Sequence, residues 1–273
     1  TLPTHAEVEF QDASAPDLPP QRLCAPLVVA ADSRFSNTRR QLGMGAAITD
    51  FGRTVIVCRM RHELPHDDTA HECFGYERTL AILPLPSDWL DGQPQCSAVV
   101  TADAEQARAL LELPAEEFTA QVAAQFGHRL GAMTLVGERH AYPLVAVYAH
   151  RFSGPRCALL GDAAVGMHPV TAHGYNLGLS GVHSLTHLLQ TAYARGQDLG
   201  AASVLQPYAS AHHRHAWPLF QGTNAIVRLF TDTRPLPRLL RQAVLAGSRR
   251  LPPLQAAIVS QLTGRRPSWP RLG

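Results

Sequence analysis

Two short apolar runs constrain this chain more than any other feature. "LVVAADSR" carries the first, Leu27 to Ala31, and "RCALLGDAA" carries the second, beginning at Cys157. Short unbroken apolar runs of this kind are typical of strands buried on both faces. The first ends at Asp32 and the second at Gly161 and Asp162. In open α/β sheets ligands gather beyond the carboxyl ends of the strands, so both aspartates stand where a ligand would be met. The expected class is α/β.

The stretch between the two runs changes texture twice. From Ala46 to Val100 it is β-rich, with "RTVIVCRM", "HECFGY", "TLAILPLP" and "QCSAVVT" as four candidate strands. "DAEQARALLEL" and "PAEEFTAQVAAQFGHRL" then carry apolar residues three and four apart, which predicts two helices, with Pro114 suited to a helix start. "AYPLVAVYAHRF" returns to strand. Before the first run, "AEVEFQDA" reads as a strand, and after it Ser36 and Gly43 bracket a short helix as N-cap and stop. After the second run, "NLGLSGVHSLTHLLQTAYARG" is the clearest helix, with Gly196 as its stop. The tail from Pro207 onward is expected to break at Pro218, Pro235, Pro237 and Pro252–Pro253.

Composition narrows the chemistry. Among 273 residues, 45% hydrophobic and 17% charged describe a globular chain. A net charge of +2 without a dense basic run points away from nucleic acid. Every formally positive residue is Arg, which grips phosphate with two parallel donors where Lys offers a point charge. The five cysteines, Cys24, Cys58, Cys73, Cys96 and Cys157, are scattered, which argues against a disulfide framework or a zinc site and for a reducing, cytoplasmic setting. No apolar run has membrane-spanning length and no signal peptide is evident, while a start at Thr1 directly before a strand suggests a cleaved or incomplete N-terminus.

The second run leads into "GDAAVGMHPVTAHGYNLGLSG". Gly161 lets a ligand approach the backbone, and Asp162 can accept hydrogen bonds from hydroxyls such as those of a ribityl chain. Gly174, Tyr175 and Asn176 open the following helix, and a helix N-terminus offers unpaired N–H groups and the positive end of a dipole to phosphate or an anionic ring. A Gly-Asp at a strand end is common in α/β proteins; the ordered series that continues through Pro169, Gly174, Asn176 and Gly178 is harder to obtain from packing alone.

That series resembles the second flavin-binding motif of the group A FAD-dependent aromatic hydroxylases, the family of para-hydroxybenzoate hydroxylase. "VVAADSRFSNTRRQLG" resembles the family's other internal motif, Asp-Gly-x-x-Ser-x-x-Arg, with Asp32, Ser36 and Arg39 in the matching places. The closest subgroup is the ubiquinone-biosynthesis hydroxylases. The resemblance implies a Rossmann-like FAD/NAD(P)-binding domain (residues 1–45 and 151–196), incomplete in this chain, with an inserted β-sheet substrate domain (46–150) and C-terminal helices (197–273). It implies that Asp162, with Gly161, binds the ribityl and pyrophosphate region of FAD, and that Gly174, Tyr175 and Asn176 bring amides to the edge of the isoalloxazine. Pro169 and His173 would line the ring, and an ordinary loop His remains an open reading of His173. Asp32 and Arg39 would serve FAD or NAD(P)H, the assignment between the two left open. The implied reaction uses NAD(P)H and O₂ to hydroxylate an aromatic ring, a ubiquinone precursor, with no metal and no residue assignable as acid or base.

The chain departs from the pattern at Ser33, where the first motif has Gly, at Val165, where many relatives have His, and at His173, where relatives often have Gln or Gly. It also contains no G-x-G-x-x-G unit of the kind that cradles the ADP half of FAD, and "GMGAA" reads as a helix exit instead. The chain alone is therefore expected to bind FAD weakly or not at all. Two alternatives stay open: a truncated, inactive remnant serving a biosynthetic complex, and another flavoprotein oxidoreductase of the same fold. "HHRH", His212 to His215, reads as a solvated helix face. The Arg-rich apolar tail reads as a helical pair or as a peripheral contact with the inner membrane.

Overall fold

The computed structural model describes residues 2–12, 14–15, 17–75, 77–169 and 173–231. Among these, one compact unit comprises residues 2–49 and 145–227, and a second comprises 50–144 and 228–231. Of the tail, everything beyond Thr231 lies outside the described residues, including Pro235, Pro237, the Pro252–Pro253 pair and the segment expected to touch a membrane.

The first unit opens with a hairpin, β1 (Ala6–Phe10) and β2 (Gln21–Ala25), paired antiparallel from Ala6↔Ala25 to Phe10↔Gln21. β3 (Val28–Ala30) follows, then α1 (Asn37–Gln41). The chain leaves along β4 (Ala46–His62) and returns along β8 (Met133–Ala149). β9 (Ser153–Gly154) and β10 (Cys157–Leu159) complete a three-stranded sheet in the order β3-β10-β9. β10 is parallel to β3, with Cys157, Ala158 and Leu159 opposite Val28, Val29 and Ala30. A parallel pair needs a long crossover. Here the crossover contains residues 50–144 of the second unit, which is why the two runs lie so far apart in sequence.

β11 (Val165–Gly166) pairs with Tyr148 and Val147 at the end of β8. Two helices complete the unit, α4 (Gly174–Ala194) and α5 (Ala202–Thr231). Gly43 and Gly196 follow α1 and α4 with φ of +64° and +62°, as the helix-stop reading expected. α5 corrects the expectation at Pro218. The helix runs through Pro207 and Pro218 without ending. Each proline forfeits one backbone hydrogen bond, but Leu205, Tyr208, His212, Ala216 and Phe220 form a buried stripe along the helix. Packing along that stripe outweighs the lost bonds. It also corrects the reading of the His cluster: His212 is 3% exposed and stacks on Tyr208, His213 shares a 2.8 Å hydrogen bond with the Tyr148 hydroxyl, and of the three only His215 is left to the solvated face. The Tyr208 hydroxyl donates to the carbonyl of Leu159 at 2.6 Å, which ties α5 to β10.

The second unit is a sheet with two helices on one face. β5 (His71–Cys73), β6 (Thr79–Leu85) and β7 (Gln95–Asp103) extend the order β11-β8-β4-β7-β6-β5. Side chains alternate along a strand. Ile56, Cys58 and Met60 of β4, Leu80 and Ile82 of β6, and Cys96, Ala98 and Val100 of β7 therefore share one buried face. α2 (Ala104–Glu112) and α3 (Ala115–Gln125) cover it with Leu110, Phe118 and Val122, and Phe126 follows at the end of α3. Asp103 caps α2 by accepting from the Gln106 amide at 2.8 Å, and Pro114 stands at the N-cap of α3, at the helix start the sequence suggested. Burial pushes the thiols of Cys58 and Cys96 up to about 11 and about 12, so both are inert packing groups.

Candidate functional site

Because β3 and β10 are parallel neighbours in register, their carboxyl ends lie side by side. The amide of Leu160 continues the ladder by donating to the carbonyl of Ala30 at 2.8 Å. Asp32 and Asp162 thus leave the same end of one sheet from adjacent strands. The sequence placed each at a strand end; their adjacency comes from the sheet.

Asp32 organises the first motif. It accepts from the Ser36 hydroxyl at 2.5 Å through Oδ1, and from the Thr38 amide and hydroxyl, both at 3.1 Å, through Oδ2. Burial pushes its pKa up, but these donors outweigh burial and hold it below the usual carboxylate range. Ser36 in turn caps α1 by accepting from the Arg39 amide at 2.9 Å. Ser33, where Gly was expected, does not belong to the positive-φ positions, so the turn has no need of glycine's freedom.

Arg39 is 3% exposed and its guanidinium turns inward. It donates to the carbonyl of Ala163 at 2.8 Å and to that of Arg34 at 3.1 Å. It joins the first motif to the turn that carries Asp162.

That turn is a single 3-10 turn, Gly161–Ala163. Gly161 has φ +56°, and a Cβ there would meet nothing within 4 Å. Asp162 has a cationic partner that the sequence reading did not name. Arg34 donates to Oδ2 of Asp162 twice, from Nε at 3.0 Å and from Nη2 at 2.7 Å. Its Nη1 donates to the carbonyl of Val145 at 2.9 Å. Both bonds to Asp162 fall on one oxygen, Oδ2, and neither reaches Oδ1. Arg34 escaped the sequence reading because it fills a variable position of the motif. The only signal was an Arg two residues past Asp32.

α4 packs on the turn, with a Cβ on Gly178 reaching the Cα of Gly161 at 3.6 Å. Its first residues, Gly174, Tyr175 and Asn176, begin the helix without a side-chain cap at His173. Tyr175 is 77% exposed, Asn176 and Pro169 are exposed, and His173 is half-buried. A Cβ on Gly174 would meet nothing within 4 Å. Val170 to Ala172, which complete the loop, lie outside the described residues. Beside Pro169, His168 is held down to about 4 by burial and by the charge of Arg34, so it is neutral at physiological pH.

Elsewhere, His5, Glu7 and Cys24 bring ligating atoms within 4.8 Å of one another on the surface of the β1–β2 hairpin. In the second unit a groove of about 440 Å³ opens between α3 and the start of β8, lined by Ala115, Thr119, Ala123, Met133 and Leu135 with His128 at its edge. Among the described residues no helix is long and apolar enough to cross a membrane.

The FAD binding domain family matches residues 5–223. Ubiquinone hydroxylase UbiM of Neisseria meningitidis is 49% identical over 242 residues, covering 89% of this chain and 51% of that protein. Ubiquinone hydroxylase UbiL of Rhodospirillum rubrum is 36% identical over 255 residues, covering 92% of this chain and 58% of its own length. The chain thus spans little more than half the length of the curated relatives it matches. Among solved structures, the OxyS anhydrotetracycline hydroxylase from Streptomyces rimosus superposes with a TM-score of 0.71 at 19% identity, over 100% of this chain and 52% of that one, which establishes a common fold.

Proposed function

The chain belongs to the FAD binding domain family, and on that premise we propose that it forms the flavin-holding and ring-binding part of a monooxygenase. The substrate class is an aromatic ring of the ubiquinone-precursor type, with NAD(P)H as reductant and O₂ as oxidant. The observation that carries this reading is the side-by-side placement of Asp32 and Asp162 at the ends of β3 and β10, with the uncapped start of α4 packed on the same turn. The identity to two ubiquinone hydroxylases supports the substrate class.

The residues present fit a flavin. One oxygen of Asp162 lies outside the Arg34 pair and can accept from a ribityl hydroxyl. Gly161 and Gly174 both border open space where a side chain would intrude. The amides of Gly174, Tyr175 and Asn176 offer donors and a positive dipole end to the ring's pyrimidine edge. FAD, when bound, supplies the redox chemistry by which one oxygen atom reaches the substrate. The chain's share is to bind, orient and keep water away. Neutral His168 beside Pro169 adds no positive charge to that surface.

The test uses the protein expressed from its whole reading frame. It is incubated with FAD, NADH or NADPH, a ubiquinone-precursor ring and isotopically heavy dioxygen, and the product is weighed. Incorporation of one heavy oxygen into the ring is the expected result. Failure of that protein to retain flavin, or NAD(P)H oxidation with no oxygen in any ring product, overturns the reading.

A further inference from the structure

We propose that Arg34 is a positioning residue for the flavin: it grips one oxygen of Asp162 so that the other is presented to the ribityl chain. The inference rests on the flavin reading above and adds a residue to it. A lone carboxylate on a 3-10 turn rotates about its Cα–Cβ and Cβ–Cγ bonds, and each orientation lost on binding costs affinity. Arg34 removes that freedom beforehand. Its Nε and Nη2 both hold Oδ2, and its third nitrogen, Nη1, donates to the carbonyl of Val145. The guanidinium plane is thereby fixed at two places, which a Lys ammonium in its place lacks the shape to do.

The surroundings support the arrangement. The carbonyl of Arg34 is itself held by Arg39, whose other donor reaches Ala163 in the Asp162 turn. The stem of Arg34 passes over Gly166, where an added Cβ would stand 2.9 Å from the Cβ of Arg34. That contact involves the rigid base of the side chain, so it cannot be relieved by moving the far end. A buried position in β11 is therefore kept bare at the place where Arg34 crosses it. Because both Arg34 bonds fall on Oδ2, the pair itself does not occupy Oδ1.

The experiment uses the protein expressed from its whole reading frame and measures FAD dissociation constants by flavin fluorescence for the parent, Asp162→Asn, Arg34→Met and the double variant. The unfolding midpoint of each flavin-free protein is recorded alongside. Loss of a charge-assisted contact predicts about tenfold weaker FAD binding in each single variant. The double variant should be no weaker than the weaker single, because the two residues act as one unit. Arg34→Lys should fall between parent and Arg34→Met. Gly166→Ala, which displaces Arg34 without touching its charge, should weaken FAD binding severalfold and remains informative if Arg34→Met does not fold. If Asp162→Asn loses FAD while Arg34→Met and Gly166→Ala bind like the parent, Arg34 has no positioning role and the flavin reading stands. If Asp162→Asn binds like the parent, the flavin reading of Asp162 falls and this inference with it. Additive losses in the double variant, or a drop in midpoint with unchanged affinity, would mark Arg34 as structural and overturn the proposal.

Discussion

The guanidinium of Arg39 donates to the carbonyl of Ala163 at 2.8 Å, joining residues 124 positions apart in the chain. The same group holds the carbonyl of Arg34, so one buried side chain secures both motifs. Burial lowers its pKa, with Arg40 acting in the same direction and Asp32 against it. Replacing Arg39 with Met strands two carbonyls. We expect a loss of about 2–3 kcal/mol in urea unfolding, with Lys restoring only part of it.

Gly181 of α4 meets the ring of His212 in α5. A Cβ there would stand 3.0 Å from the ring's Cε1 and 3.3 Å from a methyl of Leu160. Gly222 of α5 has nothing within 4 Å of the same added atom. The two glycines should therefore answer the same substitution with opposite signs. Gly222→Ala should stabilise by roughly 0.5–1 kcal/mol through helix propensity. Gly181→Ala should destabilise by about 1–2 kcal/mol through overpacking. Thermal midpoints of the two variants, run side by side, decide it.

Burial and the nearby His215 hold His212 down to about 4, and burial and Arg34 do the same for His168. Unfolded, both titrate near 6.5. Above that value neither state is protonated and stability is flat. As pH falls from about 6.5 to about 4 the unfolded state takes up protons that the folded state refuses, so stability drops. For His212 the loss is roughly 3 kcal/mol. The unfolding free energy should slope across this window, and the slope should be shallower in His212→Gln. An unchanged slope in that variant would show that His212 is not the group responsible.

Arg156 closes the first unit at its termini. It is 8% exposed at φ +51°, pairs with both oxygens of Asp198, and donates to the carbonyls of Pro3 and Pro26 at 2.8 and 2.9 Å. Removing Asp198 leaves a nearly buried cation without its counter-charge. Asp198→Ala should lower the thermal midpoint, by less than the loss of a wholly buried pair would, because Asp198 is itself 46% exposed. Raising the salt concentration should narrow the gap between parent and variant only slightly.

What the sequence by itself determined was local. The strands at Leu27 and Cys157, the cap at Ser36, the stop at Gly196 and the alternating face of β4 and β7 all follow from near neighbours in the chain, because backbone propensity and side-chain period act over a few residues. The two motifs were legible for the same reason, each being a short string. Only the tertiary structure decided what those strings face. Arg34 reaches Asp162 across 128 positions because β3 and β10 become parallel neighbours, and no periodicity records such a pair. Pro218 and His212 were misread for the complementary reason. Their local tendencies, to break a helix and to stay in water, were outweighed by a buried stripe on α5 that exists only once β10 and α4 are there to receive it.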